Sequence, residues 1–207
     1  LTLGRYEEGF RLYETRWHHP QVALKKRKFD SKLWLGQEHL SGKTILLYAE
    51  GGFGDTIQFI RYAKLFDPDV KLIIQCQLPL VELVNGMRPG AEVIAPGDTP
   101  PPLDFHCPLM SLPLAFGTTI ETVPHFDRYM FAPSSHREKW AAVTGQLSSP
   151  KIGIVARGSS SFSNNKNRSF DLKALFARLP KHPSYVVLQK DLSDDERAFI
   201  DSCDNVI

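Results

Sequence analysis

Short apolar runs alternate with helical stretches along most of this chain, and this alternation constrains its fold most strongly. The first runs cover residues 43–49, 70–76 and 91–95, and a further run over 103–107 ends at Pro108. Each is too short for a buried helix and rich enough in β-formers for a buried strand. Helical stretches over 56–66 and 80–87 lie between them. The order predicts an α/β domain with a doubly wound parallel sheet.

The same pattern restarts after a loop around Pro133. A helix over 137–143 is followed by strands at 151–156 and 184–189 and by helices at 172–179 and 194–202. We therefore divide the chain into regions 1–40, 41–133 and 134–207. The last region has too few strands to form a covered sheet. Either it joins the first sheet, or it is the first part of a truncated second Rossmann-like domain. Because Leu1 is not Met and Val206-Ile207 reads as a strand, we expect a fragment of a longer protein.

The N-terminal region has a helical pattern. Tyr6, Phe10, Tyr13 and Trp17 are spaced by three and four residues, which places them on one helix face. Residues 18–41 have little periodicity and are interpreted as a connector. Their basic run, 25–28, is a solvated linker or an anion-binding patch.

Composition excludes several classes of protein. Lys and Arg total 25 against 23 Asp and Glu, a net charge of +2, which argues against a basic nucleic-acid coat. Apolar residues make up 42%, enough for a core, and no run approaches the length of a membrane span. We find no signal peptide. Three distant cysteines favour a reducing, cytoplasmic compartment over a disulfide framework.

A glycine-rich segment, Gly51-Gly52-Phe53-Gly54-Asp55, joins the first strand to a helix. Backbone N–H groups at such a helix start attract phosphate or developing negative charge. The segment is neither a dinucleotide fingerprint, since Ile57 replaces the third glycine, nor a phosphate loop of the Walker type. Asp55 is a candidate general base at the edge of the sheet, with Glu50 second. The alternative is that Asp55 only caps the helix.

The second region has a cationic segment, Lys166-Asn167-Arg168-Ser169, just before a helix. Arg and Lys there suit a diphosphate, although a solvated loop would look the same. His106 is also a candidate binding residue. His106-Cys107 and His18-His19 match no common metal-site spacing, so no metal is expected. No Gly-x-Ser-x-Gly supports a hydrolase.

Three segments together resemble a bacterial family in which tetratricopeptide repeats are fused to a glycosyltransferase-like region. They are residues 50–62, 107–118 and 164–169, and residues 4–13 resemble the second helix of such a repeat. The family is similar to the heptosyltransferases of lipopolysaccharide synthesis and, more distantly, to the O-GlcNAc transferases. The resemblance implies a GT-B architecture, in which two Rossmann-like domains face a cleft, with the acceptor mainly on the first and the nucleotide-sugar on the second.

By this resemblance, Asp55 matches the proposed base, and Gly52 and Gly54 match the loop around it. Lys166 and Arg168 match residues that face the donor phosphates. The implied reaction is inverting, metal-independent sugar transfer from a nucleotide-sugar to a protein or saccharide hydroxyl, with no further cofactor. Upstream repeats would bind protein partners.

The chain also departs from this family. Relatives carry a Trp, a small residue and Gly after the fifth predicted strand, where this chain has Ala156-Arg157-Gly158. The loop lacks a His before the Asn, and the later nucleotide-binding segment does not occur before Ile207. We therefore expect these 207 residues alone to be inactive. The rival hypothesis is a non-catalytic repeat scaffold or ligand sensor with a degenerate glycosyltransferase domain. A weaker one is binding of RNA or a charged surface through residues 25–28.

Overall fold

The computed structural model describes residues 1–20, 27–159 and 164–207. The chain forms two compact units, Leu1–Pro133 and Ser134–Ile207. Lys25 and Lys26 of the basic run, and residues 160–163 of the predicted polar loop, lie outside the described residues.

The first unit is built on a parallel sheet of five strands. Their order across the sheet is β1-β5-β2-β3-β4. The strands are β1 Lys32–Leu33, β2 Thr44–Tyr48, β3 Lys71–Gln75, β4 Glu92–Ile94 and β5 Phe105–Pro108.

The strand order is that of a Rossmann-like half. Numbered from β2, the first four strands after the N-terminal region lie in the order 3-2-1-4. The order reverses between β2 and β5, which pair with Leu46 opposite His106. Open α/β sheets bind ligands outside the carboxyl ends of the strands at such a switch point. The predicted α/β class with a parallel sheet is therefore confirmed for the first unit, and its strand order is compatible with a Rossmann-like fold.

Within residues 1–20 and 27–133, four α-helices accompany this sheet. They are α1 Tyr6–Tyr13, α2 Phe53–Phe59, α3 Val81–Val84 and α4 Leu112–Ala115, with 3-10 helices at Glu14–His18, Ile60–Leu65, Leu78–Leu80 and Leu109–Ser111. The predicted helices at 56–66 and 80–87 thus occur partly as 3-10 turns. Apolar periodicity cannot separate these two helix types, because both bury the same side of a short segment.

Both faces of the sheet are covered, which explains the nearly continuous apolar runs. One face packs against the helices through the side chains Ile45, Leu47, Leu72, Ile74 and Cys107. The other carries Leu46, Tyr48, Ile73 and Ile94, and Phe29 and Leu103 pack on it.

The interpretation of residues 18–41 as a connector is wrong in part. Lys32 and Leu33 form β1 and pair with Phe105 and His106. Trp34, which follows, is only 6% exposed and belongs to the main core. A two-residue strand has no periodicity to detect, and its partner lies more than 70 residues away in the chain.

The N-terminal pattern does form a helix. Tyr6, Phe10, Tyr13 and Trp17 are all half-buried, and the last of them lies in the 3-10 helix that continues α1. A tetratricopeptide repeat is a helix pair of about 34 residues. The assignment of this helix to such a repeat therefore stays a prediction.

The second unit has a sheet of its own. Strands β6 Lys151–Ile154 and β7 Ser184–Val187 are parallel, and Tyr185 forms a further parallel bridge with Val206. Of the two alternatives for these strands, the one in which they join the first sheet is wrong. The helices are α5 Ser134–Thr144, α6 Leu172–Phe176 and α7 Asp194–Asp201, with a 3-10 helix at Asn165–Arg168. The core contains Ala156, Leu172, Tyr185, Ile200 and Val206.

In the part of the chain that the structure describes, no helix has the length and apolar character needed to cross a membrane.

Candidate functional site

The glycine-rich loop lies directly after β2, beside the switch point of the first sheet. Gly52 is the N-cap of α2 and has extended backbone angles. Its N–H donates to Oδ2 of Asp55 over 2.8 Å. Asp55 is half-buried, whereas the loop glycines are exposed. Asp55 therefore does cap the helix, as one of the two predictions had it, and its carboxylate is held at a solvent-accessible edge.

Gln77, two residues after the end of β3, holds the other side of this loop. Gln77 donates through Nε2 to the carbonyl of Gly51 over 2.9 Å. Its Oε1 accepts from Oγ1 of the buried Thr56 over 3.0 Å. The loop is thus fixed to two neighbouring strands.

Space around the three glycines differs. A Cβ on Gly51 would overlap the Asp55 carboxylate, whereas one on Gly52 would stand 3.7 Å from its Oδ2. A Cβ on Gly54 would meet nothing within 4 Å. Steric need for glycine is therefore greatest at Gly51, which the sequence analysis did not single out as a site residue.

A buried ionic cluster lies beside the loop. Arg16 donates from Nη2 to Oε1 of Glu50 over 2.8 Å and from Nη1 to Oε1 of Glu14 over 2.7 Å. Nη2 also donates to Oγ of Ser111 over 2.8 Å, and this hydroxyl donates to Glu14. The side chains of Arg16 and Glu50 are 9% and 6% exposed. We call these four residues the Arg16 cluster.

Burial and ion pairing shift the pKa values of Glu50 and Arg16 in opposite directions. Burial raises the pKa of Glu50, and the bonds from Arg16 offset this only in part. For Arg16, burial lowers the pKa, but hydrogen bonds to Glu50 and Glu14 outweigh it and leave the pKa raised. Glu50 is therefore held inside an ion pair, which leaves Asp55 as the accessible carboxylate of this loop.

The Arg16 cluster was missed by sequence analysis, apart from Glu50 as a second candidate base. Arg16 looks like an ordinary charged residue on a helix. Its partners Glu50 and Ser111 lie 34 and 95 residues further along the chain. No local pattern indicates such contacts.

His106 is placed away from the glycine-rich loop. It lies within β5, where its ring packs 4.4 Å from that of Phe29 and its Nδ1 is 3.1 Å from Oγ of Ser31. It is buried on the face that also carries Tyr48. The structure does not bring His106 together with Asp55, because the β-strand pleat directs it onto a sheet face.

The cationic segment of the second unit is exposed. Lys166, Asn167 and Arg168 lie in the 3-10 helix Asn165–Arg168, and Ser169 ends it, half-buried, with Oγ donating to the carbonyl of Asn165 over 2.7 Å. A Cβ on Gly158 would overlap the guanidinium of Arg168. The glycine therefore lets Arg168 lie against the loop after β6.

The helix that follows does not offer a free N-terminus to an anion. Asp171 is the N-cap of α6, and its Oδ1 accepts from the N–H of Ala174 over 2.7 Å. A helix N-terminus attracts anions, but the Asp171 carboxylate already occupies this one. Lys166 and Arg168 remain the groups suited to phosphate.

Arg157, which stands where a small residue was expected, has a structural partner. Arg157 binds Glu196 of α7 through both Nη atoms, over 2.6 and 2.8 Å. Gln189, which follows β7, accepts from the N–H groups of Ala156 and Arg157 over 3.1 and 3.0 Å. These bonds fix the loop after β6.

Among the described residues, no group of three or more His, Cys, Asp or Glu side chains is arranged to hold a metal ion.

Comparisons with protein-family models, curated proteins and solved structures find no match to this chain.

Proposed function

We propose that the protein is a glycosyltransferase that moves a sugar from a nucleotide-sugar to an acceptor hydroxyl, with inversion and without a metal. Asp55 removes the proton of the acceptor hydroxyl. Lys166 and Arg168 stabilise the departing nucleoside diphosphate. The acceptor is a protein or a saccharide, and the reaction takes place in the cytoplasm of a bacterium. Upstream repeats, as the resemblance implies, supply contacts to protein partners.

One observation carries this proposal. A carboxylate, Asp55, is oriented by the Gly52 N–H in an exposed loop at the switch point of a Rossmann-like parallel sheet. This is where such sheets bind ligands. The loop also belongs to the longest segment that resembles the glycosyltransferase-like family, residues 50–62.

The donor part of the proposal rests on the second unit. Lys166 and Arg168 are exposed cations on one short 3-10 helix, and Arg168 lies against Gly158 after β6. An arginine can bind two phosphate oxygens at once, and a lysine adds a mobile charge. A GT-B architecture, in which the second unit binds the donor, is part of the same proposal.

Calorimetry of the native-length protein with uridine, guanosine, adenosine and cytidine diphosphates and their sugar conjugates tests the donor site. We expect micromolar binding of one nucleotide and a loss of about tenfold or more in Arg168→Ala, as for a charged hydrogen-bonded contact. Arg178→Ala, another exposed arginine of this unit, is the matched control and should bind normally. Absence of binding across the panel by the folded protein rejects the donor site.

The base is tested in the native-length protein with the nucleotide-sugar that the panel identifies. We expect Asp55→Asn to bind this donor normally and to lower its transfer or hydrolysis about 100-fold or more. Asn can still accept from the Gly52 N–H, so the helix cap is retained and stability should change little. An unchanged rate removes Asp55 from the reaction.

A second candidate is a non-catalytic ligand sensor or scaffold. Two observations favour it: Asp171 caps α6, and Arg157 is committed to Glu196. The helix cap and the ion pair both occupy groups that would otherwise be available to bind a donor. Nucleotide binding without turnover, in wild type as in Asp55→Asn, would support this candidate.

A further inference from the structure

The Arg16 cluster uses the whole hydrogen-bonding capacity of one side chain. Arg16 donates from Nε to Glu50, from Nη1 to Glu14 and to the carbonyl of Tyr13, and from Nη2 to Glu50 and Ser111. A guanidinium has five N–H groups in a rigid fork, so every one has a partner here. The Cζ atom of Arg16 also lies 4.6 Å from each of the ring centres of Tyr13 and Trp17. Arg16 is therefore not available to bind a ligand itself.

The cluster joins three segments that meet at the switch point. Glu14 and Arg16 belong to the 3-10 helix after α1, Glu50 immediately precedes Gly51, and Ser111 ends the 3-10 helix after β5. The backbone of Met110, beside Ser111, also acts to lower the pKa of Glu50. Hence the start of the glycine-rich loop is held from the N-terminal segment and from the loop after β5 at once.

Overall stability is a weak reason for this arrangement. Buried ion pairs recover little more than the cost of removing the charges from water, and apolar replacements are often as stable. The cluster also has two carboxylates for one guanidinium. What it does provide is a specific geometry, because a bidentate fork fixes the Glu50 carboxylate in distance and angle.

We propose that Arg16 is a positioning residue: through Glu50 it sets the conformation of Gly51 and Gly52, and so the placement of Asp55. Its catalytic consequence rests on the proposed function, whereas its effect on the loop does not. The N-terminal segment is thereby part of the candidate site, although none of its side chains is assigned to touch substrate.

Glycine-selective ¹⁵N labelling of the 207-residue protein tests this directly, since the chain has 14 glycines. Replacing each of Gly51, Gly52 and Gly54 by Ala assigns their signals. We expect Arg16→Lys, which keeps the charge but loses the fork, to move the Gly51 and Gly52 signals by more than a line width. Exchange of the Gly52 amide should become about tenfold faster, as for a locally loosened bond.

Arg11→Lys is the matched control. Arg11 lies in α1, pairs with Glu7, and its side chain is 72% exposed. Its replacement should leave all loop signals in place. A folded Arg16→Lys protein with unchanged Gly51 and Gly52 signals overturns the proposal, even if its melting temperature falls.

Ser111→Ala provides a second test should Arg16→Lys fail to fold. It removes one neutral partner of Arg16 and keeps every charge of the cluster. We expect the Gly51 and Gly52 signals to move less than in Arg16→Lys but in the same direction, and unchanged signals reject the positioning role. Because neither donor nor acceptor is used, failure of this test and failure of nucleotide binding are separate results.

Discussion

Gly51 has no room for a side chain. Its carbonyl accepts from Gln77, and the space where a Cβ would stand is taken by the Asp55 carboxylate. Gly54 lies in the first turn of α2, where a Cβ would meet open space. Gly51 and Gly54 look alike in the sequence but differ in the space around them. This difference depends on which groups approach them in the folded chain, and the sequence does not show it.

A matched pair of substitutions checks this difference. We expect Gly51→Ala to destabilise the protein by about 1 to 3 kcal/mol, since it forces the Asp55 side chain or the loop to move. Gly54→Ala should be neutral or stabilise by about 0.5 to 1 kcal/mol, because alanine favours a helix over glycine. Urea denaturation measures both free energies of unfolding. Equal effects would show that the Gly51 contact is easily relieved.

At the scale of elements, the loop after β6 is tied to α7 by one ion pair. Glu196 caps α7 by accepting from the N–H of Ser193 and also binds Arg157. The hydrogen bond from Arg157, followed by that from Ser193, lowers the pKa of Glu196 to about 2. A carboxylate with a lowered folded-state pKa stabilises the fold above its unfolded pKa, near 4.5, and loses this contribution as the pH falls toward 2.

Acid titration of Glu196→Gln tests this link. At pH 7 we expect the variant to be less stable than wild type by about 1 to 2 kcal/mol, as for a charged hydrogen bond near the surface. The difference should shrink between about pH 4.5 and pH 2. Glu138→Gln, an exposed glutamate of α5, removes the same charge and should show neither effect. A difference that is constant with pH would contradict the assigned pairing.

Elements with a local signature were predictable, and elements that depend on distant partners were not. Strands β2, β3, β4, β6 and β7 occur at the predicted apolar runs, and each is two residues shorter than predicted. β1 has two residues and exists only because β5 lies beside it. The 3-10 helix Ile60–Leu65 completes a segment for which periodicity predicted one longer α-helix.

For the whole molecule, burial rather than residue type decides which tryptophans contribute to the stability of the fold. Trp34 packs between Phe66 and Phe116 in the core of the first unit, with ring centres 5.3 and 5.5 Å away. Trp140 lies on α5 and is 52% exposed. The sequence pattern placed Trp34 in a connector, and only the structure shows that it lies in the core.

We expect Trp34→Ala to lower the free energy of unfolding by about 3 to 5 kcal/mol, through lost burial and the cavity left behind. Trp140→Ala should change it by no more than about 0.5 kcal/mol, as for an exposed position. Chemical denaturation followed by circular dichroism compares the two. Similar losses would contradict the burial described for Trp34.

The sequence by itself determined the α/β class, the succession of most strands and helices, and the glycine-rich loop with Asp55 after the first of them. These follow from short-range periodicity and from glycine and capping residues, which act within a few positions of the chain. Only the tertiary structure decided the strand order, and with it the switch point beside this loop. It also decided that Arg16 is buried against Glu50 and Ser111. His106 lies on a face of the sheet, away from Asp55, for the same reason. Those features depend on contacts between residues 19 to 95 positions apart, for which the local pattern carries no signal.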